Sequence, residues 1–344
     1  MKILELNFER TWRGGERQTL YNMQGFRNAK QHVTLICRKG FPLEARSREE
    51  GFVTCSFNNI FGVLWFLITK AHRFDVLHAQ SSHILTYCIL AKPFHRSKII
   101  FTRRVDFVPK GAMTRLKYRL TDKLVAISTA VKEIVSNFSS RNDVEIISDI
   151  VVPKELHKQK AIAELEKAGI KYSGKHIIGT TAALVQHKDP LTMVEAIREL
   201  KQIREDFIFL HFGTGDLEKQ VREKIDAYDL NDVYKLMGFY NDVEDFFTVF
   251  ECFVMSSEEE GLGSSVLDAF IYRVPVVSTN VGGLKDLLAN GRAISCAKKE
   301  SSCLAAGINE TLGGNNQKRL DDAYNYVINN HSSVIITGQY LNIM

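Results

Sequence analysis

The sequence predicts an α/β protein built as two doubly wound, Rossmann-like halves, each a parallel sheet flanked by helices. Three observations carry that prediction. Strand-length apolar runs alternate with helix-length amphipathic runs from the N-terminus to about residue 152, the rhythm of parallel strands joined by crossover helices. A polar, Lys-rich stretch over 152–175 interrupts the rhythm, which restarts at residue 177. With 344 residues the chain has the length for two domains, each burying its own core.

In the first half, 3–7, 31–37, 75–78 and 98–102 read as strands, with helices over 19–26, 60–71 and 84–92. Later strands follow at 124–127 and 146–152, separated by a helix over 129–137. The polar stretch holds a short helix at 161–168, which sets the expected domains at 1–155 and 156–331. In the second half, strands at 177–181, 207–212, 234–237 and 252–255 alternate with helices at 190–204, 217–228 and 243–250. A strand and glycine turn over 274–283 precede a helix at 285–289, and 332–344 reads as a last helix.

Composition narrows the class. The longest apolar run, 60–68, has nine residues against the roughly 20 of a spanning helix. The opening MKILELNFER lacks the apolar core of a secretory signal, so a cytoplasmic location is expected. Six cysteines without a CxxC pair predict reduced, mostly buried thiols. A net charge of +5 does not call for nucleic acid but suits anionic ligands or a membrane surface.

The stretch most able to carry chemistry is SSEEEGLGSSVLDAF at 256–270, which sets Glu260 and Asp268 eight residues apart across Gly261 and Gly263. An apolar run leads into it and helix formers lead out. The geometry is therefore strand, tight loop, helix, the arrangement at which α/β folds hold phosphorylated ligands. Two blander readings stand beside it: Ser265 and Asp268 as a capping box, and 258–260 as a solvated acidic loop.

The segment EGLGSSVLDA resembles the signature of the retaining glycosyltransferases of the GT-B fold, family 4 ("glycosyl transferases group 1"), with Asp268 where the family usually has a second Glu. The VPVVSTNVGG run at 274–283 is similar to the family's next element. GT-B implies that the two halves face each other across a cleft, and that the C-terminal helix, 332–344, packs back on the first half. By the resemblance Glu260 binds sugar hydroxyls, Asp268 the ribose, and the loop-to-helix turn Gly261, Leu262, Gly263 and Ser264 lies at the donor.

Other elements match in order. Arg13-Gly14-Gly15-Glu16 stands at the first strand-to-helix turn, where relatives carry a glycine pair near donor and acceptor; the full GxGxxG of a dinucleotide site is absent. His78 ends the strand FDVLH and is expected on the cleft rim. Arg103 and Arg104 stand where many relatives have a His and are read as holding an anionic acceptor or phosphate. Lys188 in LVQHKDP matches the family lysine that neutralises the donor diphosphate, whereas the partner arginine is replaced by Ala183. Gly213 and Gly215 resemble the turn near the nucleotide, and Gly238-Phe239 the turn that reads the base.

The resemblance implies transfer of a sugar, with retention, from a nucleotide diphosphate sugar to a saccharide or lipid-linked acceptor, in lipopolysaccharide or envelope polysaccharide synthesis. The catalytic assignments are Glu260, Lys188 and His78. No cofactor is expected beyond the co-substrate, and no metal, since DxD is absent. A sugar-nucleotide 2-epimerase on the same fold, or a non-catalytic sugar-nucleotide-binding relative, remains the alternative. Finally, 92–119 carries nine Lys and Arg against one acid, Asp106. That is either a solvated face or a peripheral contact with the anionic inner membrane surface, at roughly 1 kcal/mol per touching cation.

Overall fold

Strands buried on both faces need near-continuous apolar runs, and FIFLHF at Phe207–Phe212 is one, buried at every position. Runs of this kind assemble two parallel sheets in the computed structural model, which describes residues 1–240 and 242–344. Packing divides the chain into Met1–Val152 with Asn330–Met344, and Pro153–Asn329.

The first unit contains β1 (Lys2–Leu6), β2 (His32–Arg38), β3 (Val53–Phe57), β4 (Val76–Ala79), β5 (Lys98–Arg103), β6 (Lys123–Ala126) and β7 (Glu145–Ile146). They lie in the order β3-β2-β1-β4-β5-β6-β7. The register sets Glu5 opposite His78 across β1 and β4, two acceptors or donors side by side in a buried sheet. The helix Ser333–Ile343 packs on the helix Gly14–Asn28. Gly25 permits that approach, because a Cβ there would lie 2.1 Å from Thr337 Oγ1. Ile336 and Tyr340 thereby join a core with Ile3, Phe26, Val76, Ile100 and Val125.

The second unit contains β8 (His176–Thr181), β9 (Phe207–Phe212), β10 (Tyr234–Gly238), β11 (Cys252–Met255), β12 (Val276–Thr279) and β13 (Ile294–Cys296). Their order is β10-β9-β8-β11-β12-β13. Pro190–Lys201 shows how a covering helix is specified. Pro190 opens it, Asp189 caps it by accepting from the Thr192 N–H at 3.2 Å, and Met193, Val194, Ile197 and Leu200 form its buried stripe.

Several elements escape the apolar pattern. Strand β3 and the helix Pro42–Glu49 carry no continuous apolar run, the first being an edge strand and the second mostly polar. The helices Ala112–Leu120, Ser301–Gly313 and Gln317–His331 and strand β13 are likewise additions to the sequence reading. Strand β7 is two residues long rather than seven, and the helix expected over 243–250 is a 3-10 helix, Val243–Thr248. The expectation of reduced thiols is corrected for one pair. Cys296, at the end of β13, and Cys303, in the first turn of the helix after it, are 5.7 Å apart at Cα and joined as a disulfide. Among the described residues no helix is long and apolar enough to cross a membrane.

Candidate functional site

In an open parallel sheet the strand order reverses once, and loops leaving the two adjacent strands diverge to open a crevice at their carboxyl ends. Each unit has such a point, at β1 and β4 in the first and at β8 and β11 in the second. The residues singled out in the sequence concentrate there.

In the second unit the loop after β8 ends in a 3-10 turn, Gln186–Lys188, and the loop after β11 spans 256–263. The two are stitched by the backbone. The N–H groups of Glu258 and Glu259 donate to the His187 carbonyl (2.9 and 3.2 Å), and Ser256 Oγ donates to the carbonyls of Lys188 (3.1 Å) and Asp189 (2.9 Å). Two further contacts hold the second loop. Thr279 Oγ1 donates to the Ser257 carbonyl (2.7 Å), and the Gly283 N–H donates to the Glu260 carbonyl (2.7 Å). A Cβ on Gly283 would lie 2.2 Å from the Gly261 carbonyl oxygen, so this position must be glycine. On that frame Lys188 Nζ donates to Glu260 Oε2. Their side chains are 19% and 14% exposed, shielded enough to interact strongly and open enough to meet a ligand.

Behind the loop, Gly263 takes φ +98° and serves as N-cap of the helix Ser264–Ile271, with no side chain to offer that helix. The capping-box reading does not form, since Ser265 Oγ donates to the Thr181 carbonyl at the end of β8 (3.3 Å). Leu262 is buried, and Ser264 and Asp268 are half-buried. Gly213 and Gly215 answer to a neighbouring loop. Added Cβ atoms would lie 2.1 Å from the Ala182 and 2.3 Å from the Leu184 carbonyl oxygens, so the space these glycines leave is filled by backbone. The Gly213 N–H donates to Gly238 (2.8 Å), after which Phe239 stands exposed.

In the first unit the crevice residues are committed to one another. His78 is fully buried, which corrects its expected place on a rim: Nδ1 hydrogen-bonds Glu5 Oε1 (2.7 Å) and Nε2 hydrogen-bonds Thr102 Oγ1 (2.8 Å). Thr102 continues to the Tyr340 hydroxyl (2.9 Å), and Gln80 Nε2 donates to Glu5 Oε2 (2.9 Å). Burial pushes the Tyr340 hydroxyl up to about 12. Arg104 pairs with Asp149 and donates to Gln80 Oε1 (3.2 Å); burial lowers its pKa, but Asp149, with Tyr340 and Glu5, brings it above the ordinary value. Arg103, also buried, donates to the Tyr118 hydroxyl (2.9 Å) and the Phe107 carbonyl. Both arginines therefore already hold internal partners, Arg103 within the segment that follows its own strand and Arg104 at Asp149, 45 residues away.

Glu16 is likewise an internal acceptor. It takes the Arg13 N–H at 2.7 Å and the Thr11 hydroxyl at 3.4 Å, and burial raises its pKa. Arg13 is exposed and Gly14 and Gly15 are half-buried at the helix start. Sequence reasoning missed Glu5, Gln80, Thr102, Asp149 and Tyr340. Their partners lie up to 238 residues away, so no local spacing announces them.

Residues 12–154 match the Glycosyltransferase Family 4 family, and residues 161–329 match the Glycosyl transferases group 1 family. The chain is 23% identical over 291 residues to a 2-deoxystreptamine N-acetyl-D-glucosaminyltransferase of Niallia circulans, an alignment covering 76% of this chain and 73% of that protein. It is 24% identical over 184 residues to the lipopolysaccharide core biosynthesis glycosyltransferase LpsE of Rhizobium meliloti, covering 52% of this chain and 50% of that protein. In fold it is similar to Anabaena HepE, solved with UDP and glucose, at TM-score 0.86 and 17% identity over 99% of this chain and 98% of that one. These similarities favour sugar transfer over the epimerase alternative.

Proposed function

The chain belongs to the GT-B glycosyltransferases of the family 4 type, and from that premise we propose that it moves a sugar, with retention, from a nucleotide diphosphate sugar to a saccharide or lipid-linked acceptor in envelope polysaccharide or lipopolysaccharide synthesis. The observation that carries the reading is the Lys188–Glu260 pair at the β8/β11 reversal. HepE, which shares the fold, holds UDP and glucose, which supports a nucleotide sugar donor. LpsE, a lipopolysaccharide core enzyme, supports the envelope setting.

The chemistry follows from charge. As the bond from the sugar's anomeric carbon to the diphosphate breaks, negative charge grows on the phosphate oxygens, and the Lys188 ammonium stabilises it more in the transition state than before. A donor phosphate replaces Glu260 as the ammonium's partner, and the released carboxylate accepts hydrogen bonds from sugar hydroxyls. Asp268 accepts from the ribose. The departing phosphate oxygen takes the acceptor's proton on the face from which it leaves, which gives retention without a protein base.

Two results test this. Each of UDP, GDP, ADP and CMP is compared with its nucleoside by thermal shift, which reads affinity by mass action. Lys188→Ala weakens the preferred nucleotide by about tenfold or more, the scale of a charge-assisted hydrogen bond, and leaves the nucleoside within about twofold. Equal losses would remove Lys188 from the phosphates. Separately, transfer activity persists in EDTA, since Lys188 supplies the positive field; a strict need for added Mg²⁺ or Mn²⁺ would show that a metal supplies it instead.

A further inference from the structure

Among the described residues the second unit leaves only Ile203, Phe239 and Ile328 as large exposed apolar side chains, whereas ten such side chains fall between residues 61 and 120. They are not scattered. The helix Ile60–Lys70 packs on Ser82–Ala91, which packs on Ala112–Leu120, and each turns apolar residues outward. Phe61 and Trp65, one helical turn apart, are 76% and 69% exposed. Leu90 and Phe94 follow on the second helix and the turn after it, and Met113, Leu116 and Leu120 form a stripe on the third. So many large apolar side chains exposed on three successively packed helices of one folded unit mark an interaction site.

The loop after β5 extends the surface in a held conformation. The Arg103 guanidinium lies 4.9 Å from the Phe107 ring centroid, donates to the Phe107 carbonyl and is itself fixed by the Tyr118 hydroxyl. Phe107 and Val108 therefore project to solvent from an anchored backbone.

The charge on this face is more selective than the sequence suggests. Of the nine cations in 92–119, Arg103 and Arg104 are buried or paired, and Lys92 bonds Asp122 (2.8 Å). Lys98 turns to the Ile343 carbonyl (2.7 Å), and Lys117 to the Ser82 carbonyl (2.7 Å). Arg96, Lys110, Arg115 and Arg119 stay exposed, the last two with Nε donating to the carbonyls of Phe138 (3.0 Å) and Ser139 (3.2 Å) while the rest of each guanidinium remains available. The apolar side chains thus stand among four cations, with Asp106 the only acid in the tract.

We propose that this face docks on a lipid leaflet rich in anionic headgroups, with the aromatic and aliphatic side chains entering the interfacial layer and the four cations meeting the headgroups. Interfacial proteins combine these two terms, apolar burial and attraction to anionic lipid. A second copy of the chain fits less well, because a two-fold contact places the same patch on both sides and would oppose four cations with four cations. The helix Ile60–Lys70 has 11 residues, enough to lie in the interface and too few to span it. The inference is independent of the donor site and holds whichever nucleotide is used.

The test exploits the chain's two tryptophans, Trp12 and Trp65. In a Trp12→Phe background, Trp65 emission shifts to the blue on phosphatidylcholine vesicles containing about one-third phosphatidylglycerol, and brominated lipid quenches it. Binding exceeds that to pure phosphatidylcholine by about tenfold at low salt and falls at high salt. Phe61→Ser with Met113→Ser lowers it by about tenfold, and Arg96→Ser with Lys110→Ser removes about half of its salt dependence. Circular dichroism and nucleotide binding, measured on each variant, separate a failed fold or donor site from a failed surface. Equal partitioning onto neutral and anionic vesicles, unshifted Trp65 emission, or a dimer that shields Trp65 without lipid would each overturn the proposal.

Discussion

Glu260→Ala is expected to cut sugar transfer severely and to leave the fold standing. Its carboxylate meets Lys188, but its contribution to the loop is made by the main chain, whose carbonyl accepts the Gly283 N–H and is untouched by the substitution. Because both partners of the pair reach solvent, removing one costs about 1–2 kcal/mol of stability rather than the larger price of a stranded buried charge. The catalytic loss is of another order, about 10²–10³ in kcat/KM, the scale of a single preorganised group acting on developing charge. Glu260→Gln keeps shape and hydrogen bonding without charge, and is expected between the two. Transfer by the alanine variant within about tenfold of wild type would reduce Glu260 to a loop salt bridge.

Tyr340→Ala is expected to have the largest effect on stability. The ring is buried against Phe26 (centroids 6.0 Å) and His78 (4.9 Å), and its hydroxyl closes the chain of hydrogen bonds through Thr102 and His78 to Glu5. Truncation leaves a cavity and an interrupted polar network, a cost of about 3–5 kcal/mol. Tyr340→Phe removes the hydroxyl alone and costs about 1 kcal/mol. Trp12 and Trp65 both belong to the first unit, so tryptophan emission in a urea titration follows that unit alone. The midpoint falls strongly for the alanine variant and slightly for the phenylalanine one. Coincident midpoints for all three proteins would show that the helix Ser333–Ile343 is dispensable to the unit.

The sequence made the strand-and-helix rhythm legible because strands in parallel sheets are nearly continuous apolar runs, as 207–212 and 252–255 are. Lys188 and Glu260 were legible for a related reason: both follow such a run and precede a helix, which is where strand-end loops must fall. The occupation of side chains was not. Arg103, Arg104 and His78 sit at the expected strand ends, yet their partners Tyr118, Asp149 and Glu5 come from other elements, and Tyr340 from the far end of the chain. Charge counting over 92–119 was similarly incomplete, since seven of its nine cations are buried or already hold an internal partner, and the proposed docking on lipid rests as much on Trp65 and Phe61. The cysteine reading failed because β13 and the helix after it were not seen, and these bring Cys296 to Cys303.

The discontinuity of the first unit bears on how the protein is made. Strands β1 to β7 leave the ribosome early, but the helix that completes their core, Ser333–Ile343, is translated after the whole of Pro153–Asn329. At the usual pace of ~5–20 residues per second, that intervening stretch takes roughly 10–35 s to synthesise. For that interval Ile3, Phe26, Val76 and Ile100 lack their late partners Ile336 and Tyr340. The usual order of birth is therefore inverted: the unit translated second is the first to have all its residues, and the unit translated first waits as an open sheet for the end of the chain.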